Sequence, residues 1–467
     1  MKKTNLIPAL LLAATIHCSG QPSPLAEGIW LGTLKLNSIE LRLGITISGS
    51  EEGTLKAVLT SIDQGGAEIP MDQATLFMDT LSVESAALGL KMKGAVDVKN
   101  GTWDTQFKQG PVTLPLTMYK VEHLPALNRS QEPHPPYPYL TEEVKYENSG
   151  AGIRIAGTLT LPEGGGPFPA VILLTGSGPQ NRDEEIFGHK PFWVLADYLT
   201  RNGIVVLRSD DRGVGGTSGD FALSTTDDFS GDALAGVAFL KTRGEVKQDL
   251  IGLAGHSEGG MIAPLAATRS DDVGFIVLMA APAIPFDQIV LFQKRQKWEM
   301  IGMSEADMEL NTRWHNKVAA LVASDLSDVQ VGEEMRKLYR AFSEDEHKRM
   351  YKDEAALEQE IGNMVSPWWR FACRYDAVST LKKIRCPVLA INGEKDMQVQ
   401  GVENLAAIEA ALAPGDCPGF DIKPMPGLNH LFQTALTGDE SEYGKIEETF
   451  SPEAMEVIAA WILKLDH

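Results

Sequence analysis

Leu250-Ile251-Gly252-Leu253-Ala254-Gly255-His256-Ser257-Glu258-Gly259-Gly260 is the stretch that decides how this chain folds. An apolar run leads into Gly255-His256-Ser257-Glu258-Gly259, and a segment of helical composition, Met261 to Thr268, follows. This is G-x-S-x-G in the order strand, sharp turn, helix. A serine at the tip of so tight a turn sits in strained backbone. Side chains two residues to either side would strike the adjoining strand and helix, and glycine removes them. The turn lifts the Ser257 hydroxyl above the sheet edge. It also aims the Glu258 amide at the place where an oxyanion would form. The pattern occurs once in the chain.

On either side of the turn, short apolar runs alternate with helical stretches. Ile155 to Leu161, Ala170 to Leu174, Ile204 to Leu207, Phe275 to Met279 and Val388 to Ile391 read as strands. Runs apolar on both faces are typical of strands buried in a parallel sheet. Phe192 to Arg201 and Asp232 to Thr242 read as helices between them. The alternation predicts an α/β, doubly wound, mostly parallel sheet over residues 141–467. Strands stop between about 286 and 370, where the composition turns helical and rich in Met and Trp, with Trp298, Met300, Trp314, Met335, Trp368 and Trp369 among them. An insertion there predicts a helical cap above the strand ends, its Met and Trp side chains forming an adaptable apolar wall for a substrate.

Residues 21–122 read as a separate all-β barrel or sandwich. Leu41, Leu43, Ile45 and Ile47 alternate with other residues, as do Leu114, Leu116 and Met118. Asn100-Gly101 is a hairpin turn signal, and Trp30 and Trp103 are candidates to plug the interior. Pro125, Pro133, Pro135, Pro136 and Pro138 mark residues 123–140 as an extended, stiff linker.

With 467 residues the chain is too long for one compact core. Its net charge of -21 argues against nucleic acid and anionic membrane surfaces as partners. The four cysteines, Cys18, Cys373, Cys386 and Cys417, show no C-x-x-C spacing, so neither a zinc site nor a disulfide framework is expected. No cofactor and no metal is expected. Met1-Lys2-Lys3 followed by the apolar run Leu6 to Ile16 reads as a signal peptide over residues 1–20, so the chain is expected to be exported, to the periplasm or the medium. Cleavage after Gly20 would release a soluble protein. Lipidation of Cys18 would anchor it to a membrane, although His17 is bulky where such signals prefer a small residue.

A nucleophilic serine needs a base and an orienting acid. The strand Val388 to Ile391 runs into Asn392-Gly393-Glu394-Lys395-Asp396, which puts Asp396 on the loop where the acid belongs. Glu394 and Asp376 are the competing carboxylates. The strand Phe420 to Met425 runs into Pro426-Gly427-Leu428-Asn429-His430, and of nine histidines only His430 has the base's position. The second oxyanion amide is expected from Thr175-Gly176-Ser177-Gly178-Pro179, at Ser177 with Gly178 as the alternative. Asp210 to Ser218 reads as a structural turn held by Asp211 and Arg212. It lacks the lysine and spacing of a phosphate-binding loop.

These segments together, from Leu174-Thr175-Gly176-Ser177-Gly178-Pro179 to Gly427-Leu428-Asn429-His430, resemble the bacterial α/β-hydrolases of the serine aminopeptidase S33 type, especially their EstD-like carboxylesterase branch. The resemblance spans residues 141–467. It implies a Ser257, Asp396, His430 triad and carboxylesterase activity on short acyl esters, with a small-molecule ester as partner. Peptidases, thioesterases and acyltransferases share the fold, so these remain alternatives. A glycan- or lipid-binding protein carrying a degenerate hydrolase domain is another, against which stands the presence of all three triad residue types in order. The oligomeric state is not legible.

Overall fold

The computed structural model describes residues 26–466 apart from 37–38, 50–53, 65, 67, 111, 126–127 and 351. The expected signal peptide and Cys18 lie outside the described residues. The chain divides into two compact units, residues 1–62 with 66–126, and residues 127–467 with 63–65.

The first unit is a nine-stranded antiparallel sheet of β1 (Gly28–Leu36), β2 (Ile39–Gly49), β3 (Leu55–Ser61), β4 (Glu68–Pro70), β5 (Gln73–Phe77), β6 (Thr80–Ser85), β7 (Leu90–Asp97), β8 (Thr102–Gln109) and β9 (Val112–Val121). Their order is β2-β1-β9-β8-β7-β6-β5-β3-β4, and a further β2–β3 pairing closes the sheet into a barrel. Closure removes the open edges that a flat sheet of this size would expose. Leu43, Ile45 and Ile47 are buried at every second position of β2, as the pleat requires. Trp30 and Trp103 meet edge to face inside, ring centroids 6.3 Å apart, and the Trp30 indole donates to the Ala26 carbonyl. Gly101 turns the β7–β8 hairpin with φ +65°, which glycine adopts without penalty.

The second unit holds an eight-stranded sheet in the order β10-β11-β13-β12-β14-β15-β16-β17. These are β10 (Tyr139–Asn148), β11 (Ile153–Pro162), β12 (Phe168–Leu174), β13 (Val205–Ser209), β14 (Val246–His256), β15 (Phe275–Met279), β16 (Val388–Gly393) and β17 (Phe420–Met425). β10 and β11 are antiparallel to their neighbours, and the pairs from β13 to β17 are parallel. Helices cover both faces. On one side α2 (Thr226–Leu240), α3 (Gly259–Ala267) and the helix Gly401–Leu412 bury Val237, Ile262 and Ile408 in one core. On the other, α1 (Pro191–Arg201) and the C-terminal helix Pro452–Lys464 bury Leu195, Leu199 and Ile458 in a second. The helix expected from Asp232 starts six residues earlier, because Thr225 and Asp228 form a capping box whose two side chains exchange hydrogen bonds with each other's amides.

Between β15 and β16 runs the expected cap, from α4 (Phe286–Met300) through α5 (Glu305–Ala323), α6 (Asp328–Arg340), α7 (Glu344–Arg349) and α8 (Glu354–Met364) to α9 (Pro367–Ala372). Ser304, Ser327, Ser343, Asp353 and Ser366 cap successive helices by accepting from an amide in the first turn. The cap has its own core around Trp314, Met335, Tyr339 and Met350. Much of the Met and Trp content that suggested a substrate wall is spent there.

The proline-rich stretch is bound to the α/β unit from residue 128 onward. Arg129 donates to the carbonyls of Gly188, Gly444 and Ile446, and the Gln131 amide nitrogen donates to Phe450. No helix among the described residues is long and apolar enough to cross a membrane.

Candidate active site

The strand β14 ends at His256, and Ser257 follows with φ +52°, a conformation a non-glycine residue rarely adopts. What holds it there is close packing. A Cβ at Gly255 would collide with the Gly259 carbonyl, one at Gly259 with the Leu174 carbonyl, and one at Gly260 with Ala281. The strand, turn and helix can approach so closely only through these glycines. The Ser257 amide donates to Met279 at 2.9 Å, which pins the turn to the end of β15. Glu258 then opens α3 as its N-cap residue, so its backbone amide lies at a helix N-terminus, where the peptide dipoles favour negative charge.

Asp396 and His430 come together from the loops after β16 and β17. Asp396 Oδ2 accepts from His430 Nδ1 at 2.8 Å and from Asn392 Nδ2 at 3.0 Å. Its Oδ1 accepts from the amides of Gln398 and Val399 at 2.7 and 2.8 Å. Four N–H donors around two oxygens suit an acceptor-only carboxylate and fix its plane. The bond to Nδ1 turns the other ring nitrogen, Nε2, away from the acid. The rival carboxylates lie elsewhere. Glu394 is exposed, and Asp376 caps a short helix, Ala377–Leu381, by accepting from Ser379.

Ser257 and His430 line one cleft of about 220 Å³, together with Gly176, Ser177, Gln180 and His256. Among the described residues no hydrogen bond joins the Ser257 hydroxyl to His430; such bonds are often long until substrate binds. Ser177, chosen for the oxyanion site, is exposed to this cleft, while the neighbouring Gly176 amide is taken by Glu184 at 2.7 Å. The cleft wall is more polar than the cap's composition suggested. Gln293 of α4, Gln398 and Glu440 face it beside Ile186, Phe187 and Leu431.

The turn after β13 supports the site differently from the expectation. Asp210 holds the turn, accepting from the Gly216 amide at 3.0 Å and pairing with Arg182. Arg212 pairs with Asp232 of α2. Asp211 reaches across to the loop after β12, accepting from the Thr175 hydroxyl and the Gln180 amide, each at 2.9 Å. Burial pushes the Asp211 carboxyl up to about 7, aided by the nearby Glu258 and Glu184, against the pull of the two donors. A carboxyl whose folded value is raised stabilises the fold fully below its unfolded value. That contribution is lost as pH rises through the folded value, here from about 4 to about 7. Asp211→Asn removes the titration and keeps both bonds, since its carbonyl can accept from Gln180 while its amide donates to Thr175. Thermal melts at pH 5 and pH 8 should therefore differ less in the variant than in the parent. Equal differences would mean that Asp211 does not titrate in this range.

Glu258 contributes a side chain as well as an amide. Its Oε1 accepts from Thr226 of α2 at 2.7 Å and from Trp368 of the cap at 2.6 Å. Burial raises its pKa, with the two donors opposing. The cap is thereby tied to the residue after the serine. Trp368 and Trp369 also pack around Phe286, with centroids 5.3 to 5.5 Å apart. Sequence reading missed Glu184, the ring of His256 and the Glu258 side chain. The one signal available was that polar residues stand inside an otherwise apolar motif. Among the described residues no group of three or more His, Cys, Asp or Glu is placed to hold a metal ion.

A mostly parallel sheet, a serine turn at the C-terminal end of its fifth strand, a helical insertion after the sixth and an acid–histidine pair after the last two define the α/β-hydrolase fold. Residues 192–413 match the family model described as serine aminopeptidase, S33. A curated relative, the esterase EstD of Thermotoga maritima, is 32% identical over 209 residues, which cover 44% of this chain and 50% of that protein. The chain thus spans about half the length of the curated relative it matches. Among solved structures, the esterase Pf2001 of Pyrococcus furiosus superposes with a TM-score of 0.44 at 15% identity, covering 70% of this chain and 91% of that one. Est1E of Butyrivibrio proteoclasticus, solved with ferulic acid bound, gives 0.41 at 17% identity, covering 69% of this chain and 97% of that one.

Proposed function

We propose that the chain is a serine carboxylesterase with Ser257, His430 and Asp396 as its triad. The supporting observation is the Asp396–His430 bond of 2.8 Å beside a cleft that also receives the positive-φ Ser257. In this reading Ser257 attacks the ester carbonyl while His430 Nε2 takes its proton. The developing oxyanion is held by the backbone amides of Glu258 and Ser177. His430 passes the proton to the leaving alcohol, and the acyl group rests on Ser257. Water, deprotonated by the same histidine, then releases the acid. Asp396 keeps the imidazole proton on Nδ1 and stabilises the imidazolium that forms twice in the cycle.

An ester is favoured over a peptide amino terminus as substrate. A cleft carboxylate would be needed to bind the ammonium group. Glu440 lines the cleft, but it already accepts from Gln398 at 2.6 Å and faces Lys297 at 3.4 Å. The cleft volume suits a short acyl chain. A panel of p-nitrophenyl esters beside aminoacyl anilides tests the assignment. Acetyl to butyryl esters should turn over at least about a hundredfold faster, by kcat/KM, than any anilide, a difference of about 2.7 kcal/mol in barrier. Anilide cleavage equal to or faster than ester cleavage would overturn it in favour of a peptidase.

A further inference from the structure

His256, the residue before the proposed nucleophile, is buried, and both of its ring nitrogens are engaged. Nδ1 lies 2.9 Å from Glu184 Oε1, and Nε2 lies 2.9 Å from the main-chain carbonyl oxygen of His430. A carbonyl oxygen only accepts. Glu184 Oε1 already accepts from the Gly176 amide at 2.7 Å. An imidazole facing acceptors at both nitrogens satisfies them with two protons, as an imidazolium against a carboxylate.

The surroundings agree with that charge state. Glu184 is 3% exposed and has φ +51°, so its backbone is held in a conformation that costs energy and needs compensation nearby. Its carboxyl is the charged group in contact with the His256 ring. The His430 ring lies against the other side, centroids 4.7 Å apart and tilted by 46°, with Phe432 edge-on at 6.2 Å. Asp396 acts on His256 from behind His430, and Asp211 faces Glu184 from the loop after β13. Burial alone would lower the pKa of His256; the Glu184 carboxylate, with the His430 carbonyl and Asp396, together more than offset it, so the pKa is raised.

We infer that Glu184 and His256 are positioning residues: one buried ion pair bolts the oxyanion loop, through the Gly176 amide, to the loop that carries His430, through its carbonyl. Two loops from opposite sides of the serine turn are thereby held at one separation. The oxyanion donors and the general base then keep their spacing. The functional part of this inference rests on the esterase reading; the ion pair itself does not.

Two measurements on the full chain test it. The first is 15N spectroscopy of the unliganded protein labelled at histidine, with His256 signals assigned by their absence in His256→Gln. Both ring nitrogens of His256 should carry protons at pH 7, where an ordinary histidine is mostly neutral. A neutral His256 at pH 7 overturns the pair, whatever the protein catalyses. The second is the kinetics of Glu184→Ala and Glu184→Gln on a p-nitrophenyl ester. Alanine removes the acceptor of both the Gly176 amide and His256 Nδ1, so the link between the two loops is cut. Its kcat should fall about 10- to 100-fold, the scale of a misplaced catalytic group, with KM within about threefold. Glutamine can keep its oxygen on the Gly176 amide and turn its NH₂ to Nδ1, which leaves the ring proton on Nε2 for the His430 carbonyl, so it should restore kcat to within about fivefold of the parent. A folded Glu184→Ala with a parental kcat, or a Glu184→Gln as slow as the alanine variant, would overturn the positioning role.

Discussion

Ser257→Ala is expected to lower ester turnover by about 10⁶-fold, the loss seen when the serine of a comparable triad is removed. The residue left over, about 10³-fold above the uncatalysed rate, comes from the oxyanion donors and substrate binding. The variant should fold as the parent does. Alanine meets the same backbone demand at φ +52° as serine, and the amide bond to Met279 that pins the turn is untouched. The melting temperature is therefore the control. Turnover within tenfold of the parent, in a protein that melts normally, would remove Ser257 from the mechanism.

Asp396→Asn is expected to cost about 10⁴-fold in turnover, and the local geometry says why. One side of the Asp396 carboxylate accepts from the Gln398 and Val399 amides; the other accepts from His430 Nδ1 and Asn392. An asparagine must keep its oxygen toward the two amides, since its NH₂ would clash with them. The NH₂ then faces His430. Nδ1 must accept, the imidazole proton moves to Nε2, and the nitrogen that should take the serine proton is already occupied. Glu394→Gln and Asp376→Asn are controls. Glu394 is exposed, and asparagine caps a helix about as well as aspartate. Both should stay within about tenfold of the parent, or ~1.4 kcal/mol of barrier. Initial rates on one activated ester, with circular dichroism for folding, decide among the three carboxylates. Near-normal turnover in Asp396→Asn would mean that another group orients the histidine.

Much of this architecture is legible without coordinates, because it depends on patterns confined to short stretches. The apolar runs that became β12 to β16 are continuous since those strands are covered on both faces. The glycines at 255 and 259 announce a turn too tight for side chains, and the packing against the Gly259 and Leu174 carbonyls is the physical form of that signal. Asp396 and His430 could be nominated because a loop after a core strand has a fixed place in a parallel sheet.

What sequence could not supply was the company these residues keep. Glu184 and His256 are separated by 72 positions, and His256 and His430 by 174, so no local pattern pairs them. Asp211 could be assigned to its own turn, but only the fold shows it reaching the loop after β12. The cap's Met and Trp residues were legible as apolar, yet composition cannot say whether an apolar side chain faces a substrate or its own helix bundle. Here Trp314 and Met335 face the bundle, and Gln293 faces the cleft. In the β unit, alternation in β2 gave the buried face, while the β2–β3 pairing that closes the barrel depends on sheet order.

Ser257 as a nucleophile activated within this cleft is tested most directly by covalent labelling. The purified full chain is treated with a fluorophosphonate probe, digested and mapped by mass spectrometry. One probe per molecule is expected, on the peptide that contains Ser257, with labelling slowed severely in Asp396→Asn. A folded protein that takes up no probe, or that carries it on another residue, would show that Ser257 is not the nucleophile.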